Sequence, residues 1–516
     1  GLGDVYKRQV LHYPKASGIA SQSPYTKDIN YSEVYPNWRA TYQMLGLYNK
    51  QGGLYIASHD PTGSVKKIST STDNEKVNFL FNWPAQNMGI DNNGYKLPGN
   101  VVLGYVEGTW YEAAMIYKAW VKDQAPWWPN APSKRPSRIQ DIAVCLQHET
   151  GGEIANLLAE VKEFAKFMRV PIGFHWYVWH KIPFDNDYPH FFPAKNGFVK
   201  AVRELEDAGV RDMPYINGRL WDADLDDFKS EGIKAVTKNE KGEPYIEDYG
   251  NGVRNAVMNP VTQIWKNKIK DIVLKLQQNS GTSGVYLDQI SAASPKLCMD
   301  ITHGHPLGGG SWWLDQGYYK LLSAIRDEMP EGAFLTSEAM AEPYNHLLDG
   351  LLSWNSQFQN QKPIYSAIYG GRISIFGRNN PVGPKKHKAL IMRAGQQLVF
   401  GEQIGWISPK ILKETEPARF LRKMAQTRYK LIDYFVGGQM LPAPIVHGDI
   451  PNITADWEWW ENNRSDITIS ALQRGAWQAN DLSLIHISEP TRQAEIAVGG
   501  VGVDKKWGGG GGGGGG

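Results

Sequence analysis

The chain has 516 residues, too many for one average domain, so we expect two or three domains. Its formal net charge of +2 gives no reason to expect nucleic acid or an anionic membrane as a partner, and no apolar run approaches the ~18 residues of a membrane span. The two cysteines, Cys145 and Cys298, exclude a disulfide scaffold and do not have the spacing of a cysteine metal site.

The two ends of the chain do not resemble natural protein sequence. Residues 1–9 (GLGDVYKRQ) and 482–495 (LSLIHISEPTRQAE) resemble translated sequencing-adaptor sequence of metagenomic reading frames, and residues 508–516 are a glycine homopolymer. We therefore expect residues 1–9 and 482–516 to be artefacts that flank a natural segment of residues 10–481. If the natural N-terminus has been lost, the absence of a signal peptide carries no information.

Residues 10–108 consist of short runs with strand character, separated by turn residues. Residues 53–58 are a predicted strand followed by the turn sequence HDPTG, and residues 77–81 begin with the alternation of a half-buried antiparallel strand. This pattern predicts a β-sandwich that lacks its first strands. Residues 109–138 follow as a helix, which begins with a capping box of Thr109 and Glu112, and a linker rich in proline and tryptophan.

From residue 139 to residue 440, strand and helix patterns alternate, which favours a parallel sheet covered by helices. The predicted strands are residues 141–146, 171–178, 213–216, 284–287, 333–336, 351–354, 363–368 and 397–400. Eight strands over this length indicate a (β/α)8 barrel. An open doubly wound sheet is the alternative, but no glycine-rich phosphate loop follows a first strand.

The predicted fold class is therefore α/β: a (β/α)8 TIM barrel with an N-terminal β-sandwich domain and the start of a C-terminal β domain. A long amphipathic helix over residues 418–435 would close the barrel. Residues 455–476 alternate like strands, and residues 441–481 would begin the last domain.

Two predicted strands end in a carboxylate. Asp288 follows the run Gly-Val-Tyr-Leu, and Glu338 follows Phe-Leu-Thr-Ser. Catalytic residues gather at the carboxyl ends of barrel strands, and glycoside hydrolysis needs two carboxyl groups flanking the scissile bond. We expect Asp288 to be the nucleophile, because Asp is the stronger acid and Tyr286 and Gln289 are placed to donate hydrogen bonds. Glu338 would be the acid/base, and the sequence only weakly favours this assignment over its reverse.

Further polar and aromatic residues follow the predicted strands and are typical of a concave sugar pocket. The candidate substrate-binding residues are His148, His175, Trp176, Trp179, Asn217, Arg219, Trp221, Asp222, Gln289, Trp354, Glu402 and Trp406.

Several of these residues also have simpler interpretations. Asp288 could cap the following helix, and Glu342, Glu402 and Asp222 could each replace Glu338 as acid/base. His175 and His180 fit equally well as hydrogen-bonded pocket walls. His303 and His305 have no third ligand near them in the sequence, so we interpret them as loop residues and expect no metal site and no cofactor.

The barrel segment resembles the retaining α-glycosidase barrels: the α-amylase superfamily, the α-galactosidase clan and the endo-α-N-acetylgalactosaminidases. It is more specifically similar to an uncharacterised bacterial family of glycoside-hydrolase-like barrels in which the runs GGLYI (52–56), WYEAA (110–114) and YLD (286–288) recur. The resemblance covers about residues 52–438. It implies an extracellular or periplasmic enzyme.

For the site, the resemblance implies that the strand-four acid, Asp288, is the nucleophile. It also implies that the strand-five acid, Glu338, is the acid/base, as in the amylase and galactosaminidase groups, whereas the α-galactosidase clan uses an Asp further along. Position 286 is Tyr, so the Arg-x-Asp strand of the amylase group is missing and starch-like substrates are not expected.

These observations together predict a retaining glycoside hydrolase that cleaves α-linked oligosaccharides or glycans. The alternatives are a barrel that binds carbohydrate without hydrolysing it, and a carbohydrate-active enzyme that uses another carboxylate pair.

Overall fold

The fold is described from a computed structural model. It describes residues 9–73, 76–148, 153–354, 356–380, 382–458, 466–480, 484–490 and 502–504. Among these residues, no helix is both long enough and apolar enough to cross a membrane.

Two antiparallel sheets precede the barrel. Their strands are β1 (Val10–Tyr13), β2 (Ile19–Gln22), β3 (Asn30–Tyr35), β4 (Met44–Tyr48), β5 (Gly52–His59), β6 (Lys66–Asp73), β7 (Lys76–Asn82) and β8 (Asn100–Glu107). One sheet has the order β2-β1-β4-β5-β8 and the other has the order β3-β6-β7. Tyr35 and Ile68 of the smaller sheet pack with Leu45 and Ile56 of the larger one, so the two sheets share a hydrophobic core as in a β-sandwich.

The helix Trp110–Gln124 connects these sheets to the barrel. Its predicted capping box is present, since the Thr109 amide donates to Glu112 Oε2 over 2.7 Å. Tyr117 and Trp120 lie on its buried face, and the linker that follows buries Trp127 completely.

Eight of the strands that follow form a single parallel sheet. They are β9 (Val144–His148), β10 (Ile172–Trp176), β11 (Val210–Asn217), β15 (Gly284–Asp288), β16 (Phe334–Glu338), β17 (Gly350–Leu352), β18 (Ser374–Phe376) and β19 (Ile404–Ile407). The sheet runs β18-β17-β16-β15-β11-β10-β9-β19, and isolated parallel bridges Phe376–Gln403 and Asn380–Ile407 join its two edges. The result is a nearly closed barrel, as predicted. A small sheet of β12 (Leu220–Asp222), β13 (Ile246–Glu247) and β14 (Asn255–Val257) is inserted after β11.

Helices cover the outside of the barrel. The α-helices are Ser137–Gln140, Ile154–Met168, Phe198–Asp207, Asp226–Ser230, Gln263–Leu274, Tyr319–Arg326, Ile364–Tyr369, His387–Phe400, Thr415–Lys430 and Ile432–Phe435. Two π-helical turns, Lys275–Asn279 and Trp313–Tyr318, adjoin two of them. Short 3-10 turns lie at Pro24–Thr26, Pro132–Lys134, Gly232–Lys234, Ile301–His303, Glu342–Tyr344, Pro384–Lys386 and Pro409–Lys413.

The last two predicted strands are wrong. Residues 363–368 and 397–400 fall in the helices Ile364–Tyr369 and His387–Phe400, and the real strands are β18 and β19. Every residue of Ile364–Tyr369 is buried, so the helical period that distinguishes a helix from a buried strand is absent there. The predicted closing helix, residues 418–435, is divided in the structure between Thr415–Lys430 and Ile432–Phe435.

Antiparallel strands also follow the barrel. They are β20 (Gln439–Leu441), β21 (Asn452–Asp456), β22 (Asp466–Ser470), β23 (Leu472–Gln478), β24 (Leu484–Pro490) and β25 (Gly502–Asp504). They form the sheet β20-β23-β24-β25 and the pair β21-β22. Strands β24 and β25 lie in the segment expected to be an artefact, and the origin of that segment stays a prediction.

Candidate active site

Asp288 and Glu338 lie side by side at the carboxyl end of the barrel. Asp288 is the last residue of β15 and Glu338 is the last residue of β16, and these parallel strands pair through Leu287 and Ser337. The first four residues of each strand are buried, whereas both acids are partly exposed. The sequence-based prediction that the two strand ends are neighbours therefore agrees with the structure.

Three side chains direct hydrogen-bond donors at Asp288. The Tyr215 hydroxyl donates to Oδ2 over 2.9 Å, and Asn217 Nδ2 lies 3.4 Å from the same oxygen. The Tyr286 hydroxyl, predicted as a donor, lies 3.4 Å from Oδ1. Tyr215 and Asn217 are two residues apart on β11 and point to the same side of the sheet, so one strand supplies both contacts.

Glu338 has its own donors and also bonds to Asp288. The Trp354 indole Nε1 donates to Glu338 Oε1 over 2.8 Å, and the backbone amide of Gln289 donates to the same carboxyl group. The carboxyl groups of Glu338 and Asp288 hydrogen-bond to each other, which requires one shared proton.

The environment keeps this proton on the pair. Burial, together with the charge of Glu338, raises the pKa of Asp288 well above its ordinary value, and burial also raises the pKa of Glu338. Two adjacent carboxyl groups titrate as one unit, and like charges at this distance cannot both ionise easily. One acid and one carboxylate at near-neutral pH is the state that a glycosidase needs.

A third carboxyl group faces the pair. Asp185, in the loop after β10, is a further negative charge that raises the pKa of both Asp288 and Glu338. The Tyr188 hydroxyl lies 3.2 Å from Asp185 Oδ1 and 3.2 Å from the Tyr215 hydroxyl, so phenol groups connect Asp185 to Asp288. Asp185 is not among the predicted site residues.

The residue after each acid has an unusual backbone conformation. Gln289 has a φ of 65° and Ala339 has a φ of 57°, so both non-glycine residues are in the left-handed region. Such residues are strained and cluster at functional sites, where surrounding contacts hold them. Gln289 is held by Arg219, whose Nη1 donates to Gln289 Oε1 over 3.2 Å.

Arg219 is not a free guanidinium in the pocket. It is buried and forms a bidentate pair with Glu247 at 2.6 and 3.0 Å, while Lys296 lies 3.1 Å from Glu247. Hydrogen bonds and charge from Arg219 outweigh the burial of Glu247 and lower its pKa to about 2. Arg219 therefore positions Gln289 beside the acids and is not available to bind a substrate anion.

An aromatic cluster lies below the acids. The His175 ring centroid is 4.0 Å from that of Tyr286, 4.3 Å from that of Tyr177 and 5.2 Å from that of Trp406. Burial lowers the pKa of His175 to about 3, so its ring is neutral. His175 and Trp406 therefore form part of the floor of the site and do not transfer protons.

Phe184 is the exposed member of this cluster. Its ring lies 5.4 Å from Tyr177 and 5.0 Å from Tyr215, and 42% of the residue is exposed. An exposed ring beside the acids is a suitable platform for the apolar face of a sugar. Phe184 is not among the predicted site residues, whereas Tyr177 lies within the predicted strand 171–178, two residues after His175, and shares its inward face.

Three predicted pocket residues belong to the core instead. Trp176, Trp179 and Trp221 are completely buried. Trp176 and Trp179 pack on Phe198 of the helix Phe198–Asp207, and Trp221 packs on Trp265. Trp176 alternates with His175 on β10 and so points outwards to a helix. Trp179 lies in the loop after β10, and Trp221 lies in β12 of the small inserted sheet.

The predicted acids Asp222, Glu402 and Glu342 also have structural roles. Asp222 accepts backbone amides of Asp187 and Asp224 and so holds a loop. Glu402 forms a buried bidentate pair with Arg378 at 2.6 and 2.8 Å. Glu342 is buried between the sandwich and the barrel, where it accepts hydrogen bonds from three tyrosines.

Two predicted histidines remain, His180 and His148. His180 is buried, and its Nδ1 lies 2.9 Å from the Ile182 carbonyl, so its ring supports a loop. His148 ends β9, and its side chain lies outside the described part of the structure. Among the described residues, the one cluster of at least three residues with metal-ligand geometry is Cys298, His303 and His305, in the loop after β15.

Residues 95–380, more than half of the chain, match the family described as the domain of unknown function DUF6259. The chain belongs to the DUF6259 family. A protein of Bacteroides thetaiotaomicron named "Putative glycoside hydrolase" is 30% identical over 428 residues, which cover 81% of this chain and 63% of that protein. "Putative glycoside hydrolase 22789" of Monosiga brevicollis is 28% identical over 447 residues, covering 77% of this chain and 37% of that protein. The DUF6259 chain thus spans less than two thirds of the length of either relative.

Solved structures share the fold. The α-N-acetylgalactosaminidase NagBb of Bifidobacterium bifidum in complex with GalNAc has a TM-score of 0.68 at 10% identity, covering 94% of this chain and 79% of that one. The GH36 α-galactosidase AgaA of Geobacillus stearothermophilus has a TM-score of 0.58 at 10% identity, covering 93% of this chain and 66% of that one. These structures confirm the predicted barrel fold. The names of the two relatives agree with the prediction of a glycoside-hydrolase-like family and of an enzyme in that class.

Proposed function

We propose that this DUF6259 chain is a retaining glycoside hydrolase that cleaves an α-linked glycoside by double displacement. The observation that carries the proposal is the contact between Asp288 and Glu338 at adjacent strand ends. Retaining enzymes hold their carboxyl groups about 5–5.5 Å apart and inverting enzymes about 6.5–9.5 Å apart. The paired strand ends bring the two carboxyl groups close enough to influence each other, which favours the short separation of retaining enzymes over the longer one of inverting enzymes.

In the first step, Asp288 attacks the anomeric carbon and forms a glycosyl ester. Glu338 gives its proton to the glycosidic oxygen as the bond to the leaving group breaks. Tyr215 donates to Asp288 over 2.9 Å and so stabilises the carboxylate before attack. The proton that the two acids share would move fully to Glu338 when a sugar separates them.

In the second step, Glu338 takes a proton from water, and the hydroxide oxygen attacks the anomeric carbon. The ester bond to Asp288 breaks, and the product keeps the configuration of the substrate. Trp354 donates to Glu338 over 2.8 Å, which holds the acid/base in place through both steps. Gln289, held by Arg219, fixes the other side of the same carboxyl group.

The sugar would lie between the acids and the exposed Phe184 ring. Because NagBb and AgaA share the fold and are named for α-linked N-acetylgalactosamine and galactose, aryl glycosides of these two sugars are the first substrates to test. Other α- and β-linked aryl glycosides complete the panel.

The roles of the two acids are tested by azide rescue of Asp288→Gly and Glu338→Ala on an activated aryl α-glycoside. If Glu338 is the acid/base, azide restores Glu338→Ala and yields the α-glycosyl azide, because azide attacks the ester intermediate. If Asp288 is the nucleophile, azide restores Asp288→Gly and yields the β-glycosyl azide by a single displacement. The reverse pattern would exchange the roles, and near-full activity of Asp288→Gly without azide would remove the proposal.

A further inference from the structure

The long loop between β15 and β16 brings a thiol and two imidazoles together. One ligand atom from each of Cys298, His303 and His305 lies within 4.8 Å of the other two, and Cys298 Sγ is 3.5 Å from His303 Nδ1. Cys298 and His305 are buried, and His303 is partly exposed. The three residues are absent from the catalytic constellation around Asp288.

Backbone carbonyls fix the protonation of both rings. His303 Nε2 lies 3.2 Å from the Lys234 carbonyl, and His305 Nδ1 lies 2.9 Å from the Pro306 carbonyl. A carbonyl oxygen only accepts, so these two nitrogens carry the hydrogens. The lone pairs of His303 Nδ1 and His305 Nε2 are therefore left facing the inside of the cluster.

Asn259 shows that the two lone pairs converge. Its Nδ2 lies 2.9 Å from His303 Nδ1 and 2.9 Å from His305 Nε2. The Val261 amide donates to Asn259 Oδ1 over 2.9 Å, which fixes the orientation of the side-chain amide. One electropositive group thus meets two imidazole lone pairs beside a thiol, in the position that a cation would occupy.

We infer that Cys298, His303 and His305 bind a zinc ion. A thiolate and neutral imidazoles are the ligands that zinc prefers, at about 2.3 Å for sulfur and about 2.0–2.1 Å for nitrogen. Zinc-bound histidines usually donate their other nitrogen to a carbonyl or carboxylate, as both rings do here. On binding, the Cys298 proton leaves to solvent, the Asn259 amide withdraws from the lone pairs, and water fills the fourth position.

The ion would stabilise the loop that carries its three ligands. Met299 N donates to the Lys238 carbonyl over 2.9 Å, so the loop after β15 already contacts the segment that contains Lys238. Gly308 N donates to the Cys298 carbonyl over 2.9 Å, within the same loop. His305 stacks on Trp312 with centroids 3.8 Å apart, which holds one ligand ring. Zinc would cross-link residues 298, 303 and 305 within the loop that begins directly after Asp288.

The test starts from wild-type protein stripped with a chelator and titrated with Co²⁺. We expect intense visible bands of a tetrahedral site, a near-ultraviolet thiolate-to-cobalt band, and displacement of cobalt by about one equivalent of Zn²⁺. Cys298→Ser should lose the thiolate band and bind zinc at least ~100-fold more weakly. This loss exceeds the roughly 10–100-fold loss that is typical when a residue that only hydrogen-bonds to a metal ligand is replaced. Cys145→Ser is the matched control, because Cys145 is the other thiol of the chain and lies in the barrel core.

A second readout is thermal unfolding with and without zinc. Zinc should raise the Tm of wild type and of Cys145→Ser but not that of Cys298→Ser. The absence of a thiolate band in the wild-type titration would overturn the inference and leave Asn259 as the permanent partner of both rings. Equal zinc affinity in wild type and Cys298→Ser would overturn it as well. The wild-type titration decides the matter even if Cys298→Ser does not fold.

Discussion

Replacing Glu342 with glutamine is expected to reduce the dependence of stability on pH between about 4.5 and 7. Glu342 Oε1 accepts from Tyr35 over 3.0 Å and from Tyr117 over 2.7 Å, and Oε2 accepts from Tyr369 over 2.5 Å. These tyrosines belong to the sandwich, the connecting helix and the barrel. Burial outweighs the three hydrogen bonds and raises the pKa of Glu342 from 4.5 to about 7.

The sign follows from proton binding. Between the two pKa values the folded protein holds the Glu342 proton and the unfolded chain does not, so the free energy of unfolding falls as pH rises. The contribution of Glu342 is fully present below about pH 4.5 and is lost as the pH rises through about 7. A shift of this size corresponds to about 3 kcal/mol, and because Glu342 is completely buried we apply no discount for solvent screening.

The assay is chemical denaturation of wild type and Glu342→Gln across this pH range. Asp212→Asn is the matched control, because burial raises the pKa of Asp212 to about 7 as well, at the base of the barrel and away from the sandwich. Each variant should lose part of the wild-type slope, and the double variant should lose more than either. A Glu342→Gln slope equal to that of wild type would refute the reasoning.

Four further substitutions test the site and its surroundings. Tyr215→Phe removes the 2.9 Å hydrogen bond to Asp288 and should lower kcat/KM about tenfold with little change in Tm; an unchanged kcat/KM would contradict this role. Glu402→Gln should lower stability by about 3 kcal/mol, because the buried Arg378 loses its charged partner and keeps only neutral acceptors such as Gln396, yet retain turnover. Glu338→Gln, in contrast, should abolish turnover of substrates with poor leaving groups. Arg219→Met should raise KM or lower kcat by releasing Gln289, and kinetics matching wild type would show that Gln289 needs no such support.

The sequence is sufficient to predict the acids because their positions depend on local pattern. Each of Asp288 and Glu338 follows a short apolar run, and parallel strands place such ends at one rim of a barrel. The same logic fails for Trp176 and Trp221, since being near a strand end does not say which face a side chain takes. Because side chains alternate along a strand, the residue two positions before Asn217, which is Tyr215, is expected on the same inward face.

Other features depend on contacts between distant segments. Asp185 lies in the loop after the second predicted strand, but the local pattern does not show that its charge acts on the pair. Asn259 joins His303 and His305 across more than forty residues of chain, so the cluster is visible only in three dimensions. Cys298, five residues before His303, is a local signal for the cluster, but two cysteines alone do not have the spacing of a cysteine metal site.

The most direct test of the two-acid mechanism is covalent trapping. A fluorinated α-glycosyl fluoride of the sugar that the enzyme hydrolyses is incubated with the protein, and the labelled peptide is identified by mass spectrometry. The mechanism predicts one glycosyl ester, on the carboxyl group of Asp288, and a larger accumulation of it in Glu338→Ala. Turnover with no labelled peptide, or a label on another carboxyl group, would contradict the assignment.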